Sequence, residues 1–327
     1  MQLRALITGV GGFVGQHLAR HLLAEGLDVH GLVRAEAHEP TLNTLAQEVS
    51  RHPGDLLHAG DIDRVVQAVR PDLIFHLAAQ ASVPESWRDP ATTYTTNVLG
   101  QLGLIEAVQR LDDPKPRLLV VSSNEVYGAP TGPGELPVRE TNPLRPNNPY
   151  AVSKAAQDLM AYQYVQSHRL PIVRVRPFNH IGPGQSDAYV AGAFARQVAE
   201  VEAGVREPVM RVGNLTAQRD FTDVRDIVRG YLLAVLHGVP GEVYNLASGR
   251  AIPVQRILDF YVSRSRVPLR VERDPARFRP VDVASVYGDS TKLSSLCGWA
   301  PAISLETTLS DVLEYWRARV HSETKRF

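Results

Sequence analysis

A glycine-rich turn near the start of the chain constrains the fold more than any other stretch. Residues 3–8 have the composition of a buried strand, and the run Gly9-Val-Gly-Gly12-Phe-Val-Gly15 leads from it into a helical pattern. The first glycine permits a tight turn, the second lets the backbone approach a pyrophosphate, and the third lets the helix pack closely on the strand. Because free N–H groups and the helix dipole favour an anion there, this arrangement predicts a dinucleotide site.

Strand and helix patterns then alternate through the first half of the chain. The further strands that we expect lie at residues 28–33, 55–61, 73–77, 117–122 and 172–176. The expected helices between them lie at about 62–69, 94–110 and 150–167. This alternation predicts an α/β fold with a doubly wound parallel sheet of the Rossmann type, with helices on both faces.

Beyond Pro177 the alternation gives way to loops, short strands and helices. We therefore predict a smaller C-terminal α/β lobe that binds the substrate. The dinucleotide-binding domain is expected to comprise residues 1–177 plus about 220–248, and the second lobe residues 178–219 plus about 249–327. Because ligands bind at the carboxyl edge of open parallel sheets, we expect the active site at that edge, with substrate contacts from the second lobe.

A Tyr and a Lys four residues apart supply the first candidate catalytic groups. Tyr150 and Lys154 begin a strongly helical run, and the helical period of about 3.6 residues puts both side chains on one face. An isolated phenol titrates at about 10, and a neighbouring ammonium favours its ionised form. The spacing therefore predicts a Tyr150 pKa lowered toward the range useful for proton transfer. Ser123 follows the strand expected at 117–122, at the edge where ligands bind.

Charge and cysteine content narrow the classes of function. The 35 Lys and Arg residues balance the 35 Asp and Glu residues, so no net field favours nucleic acid or an anionic membrane. Cys297 is the single cysteine, which excludes an internal disulfide and fits a reducing compartment. We find neither a secretory signal pattern nor a stretch of roughly 18 apolar residues, and we expect a cytoplasmic enzyme of small molecules. The spacing of the histidines gives no reason to expect a metal site.

The glycine turn, Ser123, the Tyr-x-x-x-Lys pair and His76-Leu-Ala-Ala79 together resemble the extended short-chain dehydrogenase/reductase (NAD-dependent epimerase/dehydratase) superfamily, over nearly the whole chain. Within it, the segments Arg176 to Gln185 and Gly213 to Asp226 are similar to those of bacterial GDP-6-deoxy-4-keto-D-mannose reductases. The resemblance implies NAD(P)H-dependent reduction of the 4-keto group of GDP-4-dehydro-6-deoxy-D-mannose to GDP-D-rhamnose.

The resemblance also implies roles for individual residues. Tyr150 matches the catalytic acid, Lys154 the group that holds the nicotinamide ribose, and Ser123 the hydroxyl that bonds the substrate carbonyl. Asp61 and Ile62 match the pair at the adenine, and Asn97 a structural and active-site Asn. The cofactor contacts comprise Gly9, Gly12, Phe13, Val14, Gly15, Arg34, Asp61, Ile62, Leu77, Ala78, Ala79, Tyr150, Lys154 and Pro177. The substrate contacts comprise Ser123, Asn179, Arg219 and Arg279, of which the two arginines would grip the nucleotide diphosphate.

Residues after the second strand bear on cofactor choice. An acidic residue there would bond the ribose 2'-hydroxyl and repel a 2'-phosphate, but the sequence has Val33-Arg34. We therefore predict that NADP(H) is preferred and that NAD(H) is usable. In an alternative arrangement, Arg34 stacks on the adenine.

Other functions and the assembly stay open. A GDP-mannose 4,6-dehydratase, or a related nucleotide-sugar epimerase or dehydratase, is one alternative. Dehydration needs a base for the C5 proton, and Glu125 stands two residues after Ser123, where dehydratases carry a glutamate, so it is a further catalytic candidate. A dinucleotide-binding sensor without turnover is the alternative from another class. The helices at 94–110 and 150–167 resemble the pair that forms the dimer interface in this superfamily, and a homodimer is expected.

Overall fold

The structure is a computed structural model that describes residues 2–34, 48–277 and 283–325. In these ranges the largest sheet has seven parallel strands in the spatial order β11-β6-β5-β4-β1-β2-β3. They are β1 (Arg4–Thr8), β2 (Asp28–Val33), β3 (Ser50–Pro53), β4 (Leu73–His76), β5 (Arg117–Val121), β6 (Ile172–Pro177) and β11 (Val243–Leu246). The doubly wound α/β fold is confirmed. The strand order reverses between β1 and β4, where such sheets form a crevice.

Helices cover both faces of this sheet. The helices of the first half of the chain, together with one later helix, are α1 (Phe13–Ala24), α2 (Ala59–Val69), α3 (Val83–Arg88), α4 (Pro90–Tyr94), α5 (Gly100–Gln109), α6 (Pro149–His168) and α8 (Val224–His237). All four residues of β4 are buried because apolar helix faces pack on both sides of the strand. One apolar cluster joins α1 and α8 to the sheet, and another joins α2 and α5 to the opposite face.

Two expectations about secondary structure need correction. The strand expected at 55–61 is wrong, because β3 ends at Pro53 and Asp61 lies in the first turn of α2. The strand itself consists of exposed or half-buried Ser, Arg, His and Pro at the sheet edge, so it carries no hydrophobic signal. The helix expected at 94–110 is interrupted by a π-helical turn at Thr95–Leu99.

The remaining elements belong mainly to the C-terminal part of the chain. They are β7 (Asn179–Ile181), α7 (Val190–Glu202), β8 (Val209–Val212), β9 (Gln218–Arg219), β10 (Phe221–Asp223), β12 (Ile252–Pro253), α9 (Val254–Arg264), β13 (Arg270–Arg273), β14 (Ser285–Val286), α10 (Thr291–Cys297) and α11 (Leu305–Thr324). A separate apolar cluster joins α7, α9 and α11, and we propose that it is the core of the substrate lobe. None of the helices in the described ranges has the length and apolar character needed to span a membrane.

Candidate active site

The glycine turn forms one end of a cleft at the carboxyl edge of the sheet. Gly9 has a φ of +75°, and a Cβ there would lie 2.8 Å from the Ala78 nitrogen. A Cβ on Gly15 would lie 2.2 Å from the Gly9 oxygen, so α1 can reach the strand only through a glycine. Gly12 precedes α1 without a side-chain cap, which leaves N–H groups for an anion. These observations fit a dinucleotide pyrophosphate.

The end of β4 is tied to the glycine turn through Thr8. Its hydroxyl bonds His76 Nδ1 at 2.8 Å and accepts from the Ala78 amide at 3.2 Å. Burial, assisted by the charge of Lys154, lowers the pKa of His76 to about 3. His76 is therefore neutral and supports the cleft wall rather than exchanging protons near neutral pH.

The structure brings Ser123 and Tyr150 together. Ser123 follows β5, and its hydroxyl accepts a hydrogen bond from the Glu125 amide at 3.2 Å. It also shares a hydrogen bond with the Tyr150 phenol. Asn148 caps α6 by accepting from the Ala151 amide at 2.8 Å, which fixes the helix start two residues before Tyr150. A hydroxyl and a phenol in this arrangement can both donate hydrogen bonds to one carbonyl oxygen of a ligand.

The pKa expectation for Tyr150 is not met in the protein alone. Burial raises the pKa of the phenol, the hydrogen bond with Ser123 opposes that shift, and the charge of Glu125 adds to it. Lys154 does not compensate because burial lowers the pKa of its ammonium to about 7. Its Nζ donates to the Val121 carbonyl oxygen at 2.9 Å. An ammonium that is about half deprotonated near neutral pH pulls less strongly on the phenolic proton than a fully charged one.

Glu125 lines the same cleft and is held by the cap residue of α6. Asn148 Nδ2 donates to Glu125 Oε2 at 3.2 Å, so one side chain fixes both the helix carrying Tyr150 and this carboxylate. Sequence reasoning missed Asn148, although an Asn before Pro149 is a typical helix start. The carboxylate lies close enough to Tyr150 to raise the pKa of the phenol.

The π-helical turn puts Asn97 behind this centre. Its Nδ2 donates to Ser153 Oγ at 2.9 Å and to the Gln80 oxygen at 3.0 Å, and its Oδ1 accepts from the Gln80 amide at 2.7 Å. Asn97 is fully buried and joins α6 to the segment after β4. π-Turns often mark functional sites, and this turn carries the Asn97 side chain that bonds to α6.

Asp61 and Ile62, the residues expected at the adenine, lie in α2 and not at the end of a strand. Ile62 is 1% exposed in the core, so its side chain cannot contact a ligand. Asp61 accepts hydrogen bonds from the Asp55 amide and Arg64. The residues that directly follow β3 at the carboxyl edge are Gly54 and Asp55. Sequence reasoning missed them because it misplaced this strand.

The C-terminal part supplies the opposite wall. Asn179 lines the cleft, and its Oδ1 is buried with no hydrogen-bond partner among the described residues. Arg219 also lines it and donates to the Gln218 and Val283 carbonyl oxygens. Arg279 lies outside the described residues, but Arg277, which sequence reasoning did not select, lines the cleft. Phe13 of the glycine turn stacks on His180 with ring centroids 6.2 Å apart, which links the two walls.

The cleft has a volume of about 720 Å³. Expected residues that line it are Gly9, Gly12, Phe13, Val14, Gly15, Leu77, Ala79, Ser123, Glu125, Tyr150, Lys154, Pro177, Asn179 and Arg219. Ala78 contributes backbone beside Gly9, and Arg34 is exposed after β2. In the described ranges no three His, Cys, Asp or Glu side chains are grouped as metal ligands.

The fold and the cleft are those of an NAD(P)-dependent nucleotide-sugar enzyme of the extended short-chain dehydrogenase/reductase class. The chain belongs to the GDP-mannose 4,6-dehydratase family, whose model matches residues 6–312. It is similar to the GDP-6-deoxy-D-mannose reductase of Pseudomonas aeruginosa, with 35% identity over 323 residues that cover 99% of this chain and 100% of that protein. It is also similar to the GDP-mannose 4,6-dehydratase of Yersinia enterocolitica, with 29% identity over 364 residues that cover 98% and 96%.

Two solved structures show the same fold. One is RMD from Pseudomonas aeruginosa complexed with NADPH, which is 33% identical with a TM-score of 0.83 and covers 97% of this chain and 100% of that chain. The other is the UDP-glucose 4-epimerase of Thermus thermophilus complexed with NAD, which is 29% identical with a TM-score of 0.84 and covers 96% and 99%.

Proposed function

We propose that the protein reduces the 4-keto group of GDP-4-dehydro-6-deoxy-D-mannose to give GDP-D-rhamnose, with NAD(P)H as the reductant. The observation that carries the proposal is the alignment with the Pseudomonas aeruginosa reductase, whose 323 positions cover 99% of this chain and 100% of that protein. The alignment with the Yersinia enterocolitica dehydratase needs 364 positions to cover 98% of this 327-residue chain, so it contains long gaps. The Ser123, Tyr150 and Lys154 arrangement supports the same chemistry.

The chain's own residues would bind, orient and protonate the substrate. When bound, the nicotinamide supplies a hydride to C4 of the sugar. Ser123 bonds the carbonyl oxygen and Tyr150 donates its phenolic proton to that oxygen, so ketone, hydride and proton balance to an alcohol. Lys154 would hold the nicotinamide ribose. After this transfer, the Tyr150 phenolate must be reprotonated, and the proton would come from solvent or from Lys154.

Residues near the ends of the cleft support our proposals for binding of the nucleotide diphosphate and of the cofactor. We propose that Arg219 and Arg279 bind the nucleotide diphosphate, with Arg277 as a further cation on that wall. Arg34 at the end of β2 supports a preference for NADP(H). At the adenine end, Asp55 replaces Asp61 and Ile62 in the proposal because it follows β3 at the ligand-binding edge.

A homodimer is proposed from an exposed apolar face on α3, the π-turn and α6. Trp87, Leu99, Leu159 and Tyr162 are 61%, 55%, 56% and 44% exposed. Large exposed apolar patches on soluble proteins mark interaction sites, and the covering partner that we propose is a second copy of the chain. We also propose a cytoplasmic location, because the single cysteine, Cys297, fits a reducing compartment.

A dehydratase acting on GDP-mannose is the second candidate. The observation in its favour is Glu125, which faces the cleft beside Tyr150 and is held by Asn148. In the reductase, the substrate already carries a 6-methyl group, and Glu125 would only orient it.

Product analysis tests the proposed function. The protein is incubated separately with GDP-mannose and with its 4-keto-6-deoxy derivative, with and without NADPH, and the products are separated by chromatography. We expect NADPH-dependent consumption of the keto sugar and no change in GDP-mannose. Cofactor binding without turnover of either compound would instead support the sensor.

A further inference from the structure

Gln185 closes the segment after β7 and faces the cleft. Its side chain is 5% exposed and lines the cleft. The main chain folds back at this point because the Gln185 amide donates to the Gly182 oxygen at 3.2 Å. Sequence reasoning gave Gln185 no role beyond the end of a similar segment.

One hydrogen bond sets the orientation of the Gln185 amide. Nε2 donates to the His180 carbonyl oxygen at 2.8 Å. A carbonyl oxygen can only accept, so the atom facing it must be the amide nitrogen, and the reverse orientation would oppose two oxygens. The amide oxygen Oε1 must therefore point elsewhere.

Oε1 of Gln185 is buried and receives no hydrogen bond from the described residues. Buried acceptors of this kind are rare in folded proteins, because leaving one unpaired forfeits its hydration without compensation. The comparison within the same chain is Gln197, also buried, whose Oε1 accepts from the Arg211 amide at 2.8 Å. Gln101 Oε1 and Gln157 Oε1 are also buried without a partner among the described residues, but neither residue lines the cleft. Gln185 does line it, so a bound ligand can supply the missing donor there.

The chemistry of Oε1 restricts that donor. Phosphate oxygens are acceptors and would repel it, whereas sugar hydroxyls, the nicotinamide carboxamide and guanine all carry donors. Four residues further along, Tyr189 lies close enough to Tyr150 to influence its pKa, so this wall faces the reaction centre. The reacting sugar must lie at that centre.

We propose that Gln185 is a specificity-determining residue whose Oε1 accepts a hydrogen bond from a hydroxyl of the hexose in the nucleotide sugar. The inference rests on the proposed function in taking a GDP-hexose as the ligand. It adds a contact that distinguishes the intact sugar nucleotide from its nucleotide part alone. The bond favours hydroxylated hexoses, because an analogue without that hydroxyl leaves Oε1 unpaired.

Calorimetric titration of the full chain with GDP-mannose, GDP and NADPH tests this contact. Gln185→Met keeps the length of the side chain and removes the acceptor. We expect the Kd for GDP-mannose to rise about 3- to 10-fold, the cost of one neutral hydrogen bond, with unchanged Kd values for GDP and NADPH. Unchanged NADPH binding also shows that the variant is folded. Gln197→Met is the matched control and should lower the Tm without changing any of the three Kd values.

The alternatives give different results. An equal loss of GDP affinity would assign the donor to guanine, a loss of NADPH affinity would assign it to the carboxamide, and three unchanged Kd values would assign Oε1 to water. Each of these overturns the proposal. Failure of the wild-type protein to bind GDP-mannose contradicts the proposed nucleotide sugar itself and removes the hexose contact with it.

Discussion

At the scale of single residues, the account depends first on the phenol of Tyr150. Tyr150→Phe removes the transferable proton and leaves the ring in place. A positioned acid contributes roughly 100- to 10,000-fold, and we expect kcat to fall within that range while the Kd for NADPH changes little. Steady-state kinetics and a cofactor titration measure the two effects. A variant that keeps more than about a third of the wild-type kcat would show that another group is the acid.

Lys154 predicts a dependence of stability on pH. Its pKa is about 7 in the folded protein against 10.5 for the ordinary side chain, so between these values the unfolded chain binds more protons. The free energy of unfolding therefore rises with pH across this window and loses that contribution as pH falls through about 7. Lys154→Met removes the ionisable group, and its Tm advantage over wild type should shrink as pH rises from 7 to 10.

Thermal melts across this range check the prediction. Lys325→Met, at an exposed position after α11, is the control and should follow the wild-type curve. Parallel curves for Lys154→Met and wild type would mean that Lys154 is fully protonated in the folded protein.

Arg34 should control the choice between cofactors. We expect a higher kcat/KM with NADPH than with NADH, and Arg34→Ala should reduce this ratio by weakening the contact with the 2'-phosphate. Because the change leaves the glycine turn intact, kcat/KM with NADH should change little. Equal use of both cofactors, or a ratio that Arg34→Ala leaves unaltered, is incompatible with this role.

A site residue could be predicted from the sequence when a short motif around it indicates its role. Ser123 and Tyr150 are given by short motifs whose position follows from the strand and helix that carry them. Asp61 was predicted from the wrong strand end. No sequence motif marks Gln185. Its proposed role depends on two contacts of the folded chain: Nε2 donates to the His180 carbonyl oxygen, and Oε1 receives no hydrogen bond from the described residues. Such a property exists only after the chain has folded.

At the scale of elements, the junction of β1 and α1 permits only glycine at one position. Gly15→Ala would put a Cβ 2.2 Å from the Gly9 oxygen and force α1 away from the strand. We expect loss of NADPH binding and a lower Tm. Gly103→Ala is the matched control because a Cβ in α5 would meet its nearest neighbour at 3.8 Å. It should leave binding unchanged and stabilise the helix by up to about 1 kcal/mol. Normal NADPH binding by Gly15→Ala would contradict the assigned phosphate site.

Buried elements were predictable and edge elements were not. β4 and β6 are apolar or fully buried stretches bounded by prolines, and both lie where the sequence predicts them. β3 is held in register by backbone bonds to β2, so its polar composition gave no indication of a strand. The π-turn that presents Asn97 is joined to α6 by the bond from Asn97 to Ser153, and helical periodicity alone could not locate it.

At the scale of the whole molecule, the proposed dimer covers the apolar face that includes Leu159. Leu159→Arg places a charge on that face, and we expect the protein to change from twice the chain mass to the chain mass in light scattering. Val205→Arg is the control, since Val205 is equally exposed at 57% but lies after α7. A monomeric wild-type protein, or a Leu159→Arg dimer, would contradict the proposed interface.

The direction of hydride flow tests the central claim most directly. NADPH deuterated at both C4 positions is incubated with the protein and GDP-4-dehydro-6-deoxy-D-mannose, and the product is examined by NMR and mass spectrometry. We predict one deuterium at C4 of GDP-rhamnose, one NADPH oxidised per product, and only a modest rate loss in Glu125→Gln. The opposite result is a 4-keto-6-deoxy sugar formed from GDP-mannose without added reduced cofactor and abolished by Glu125→Gln, which would make the protein a dehydratase.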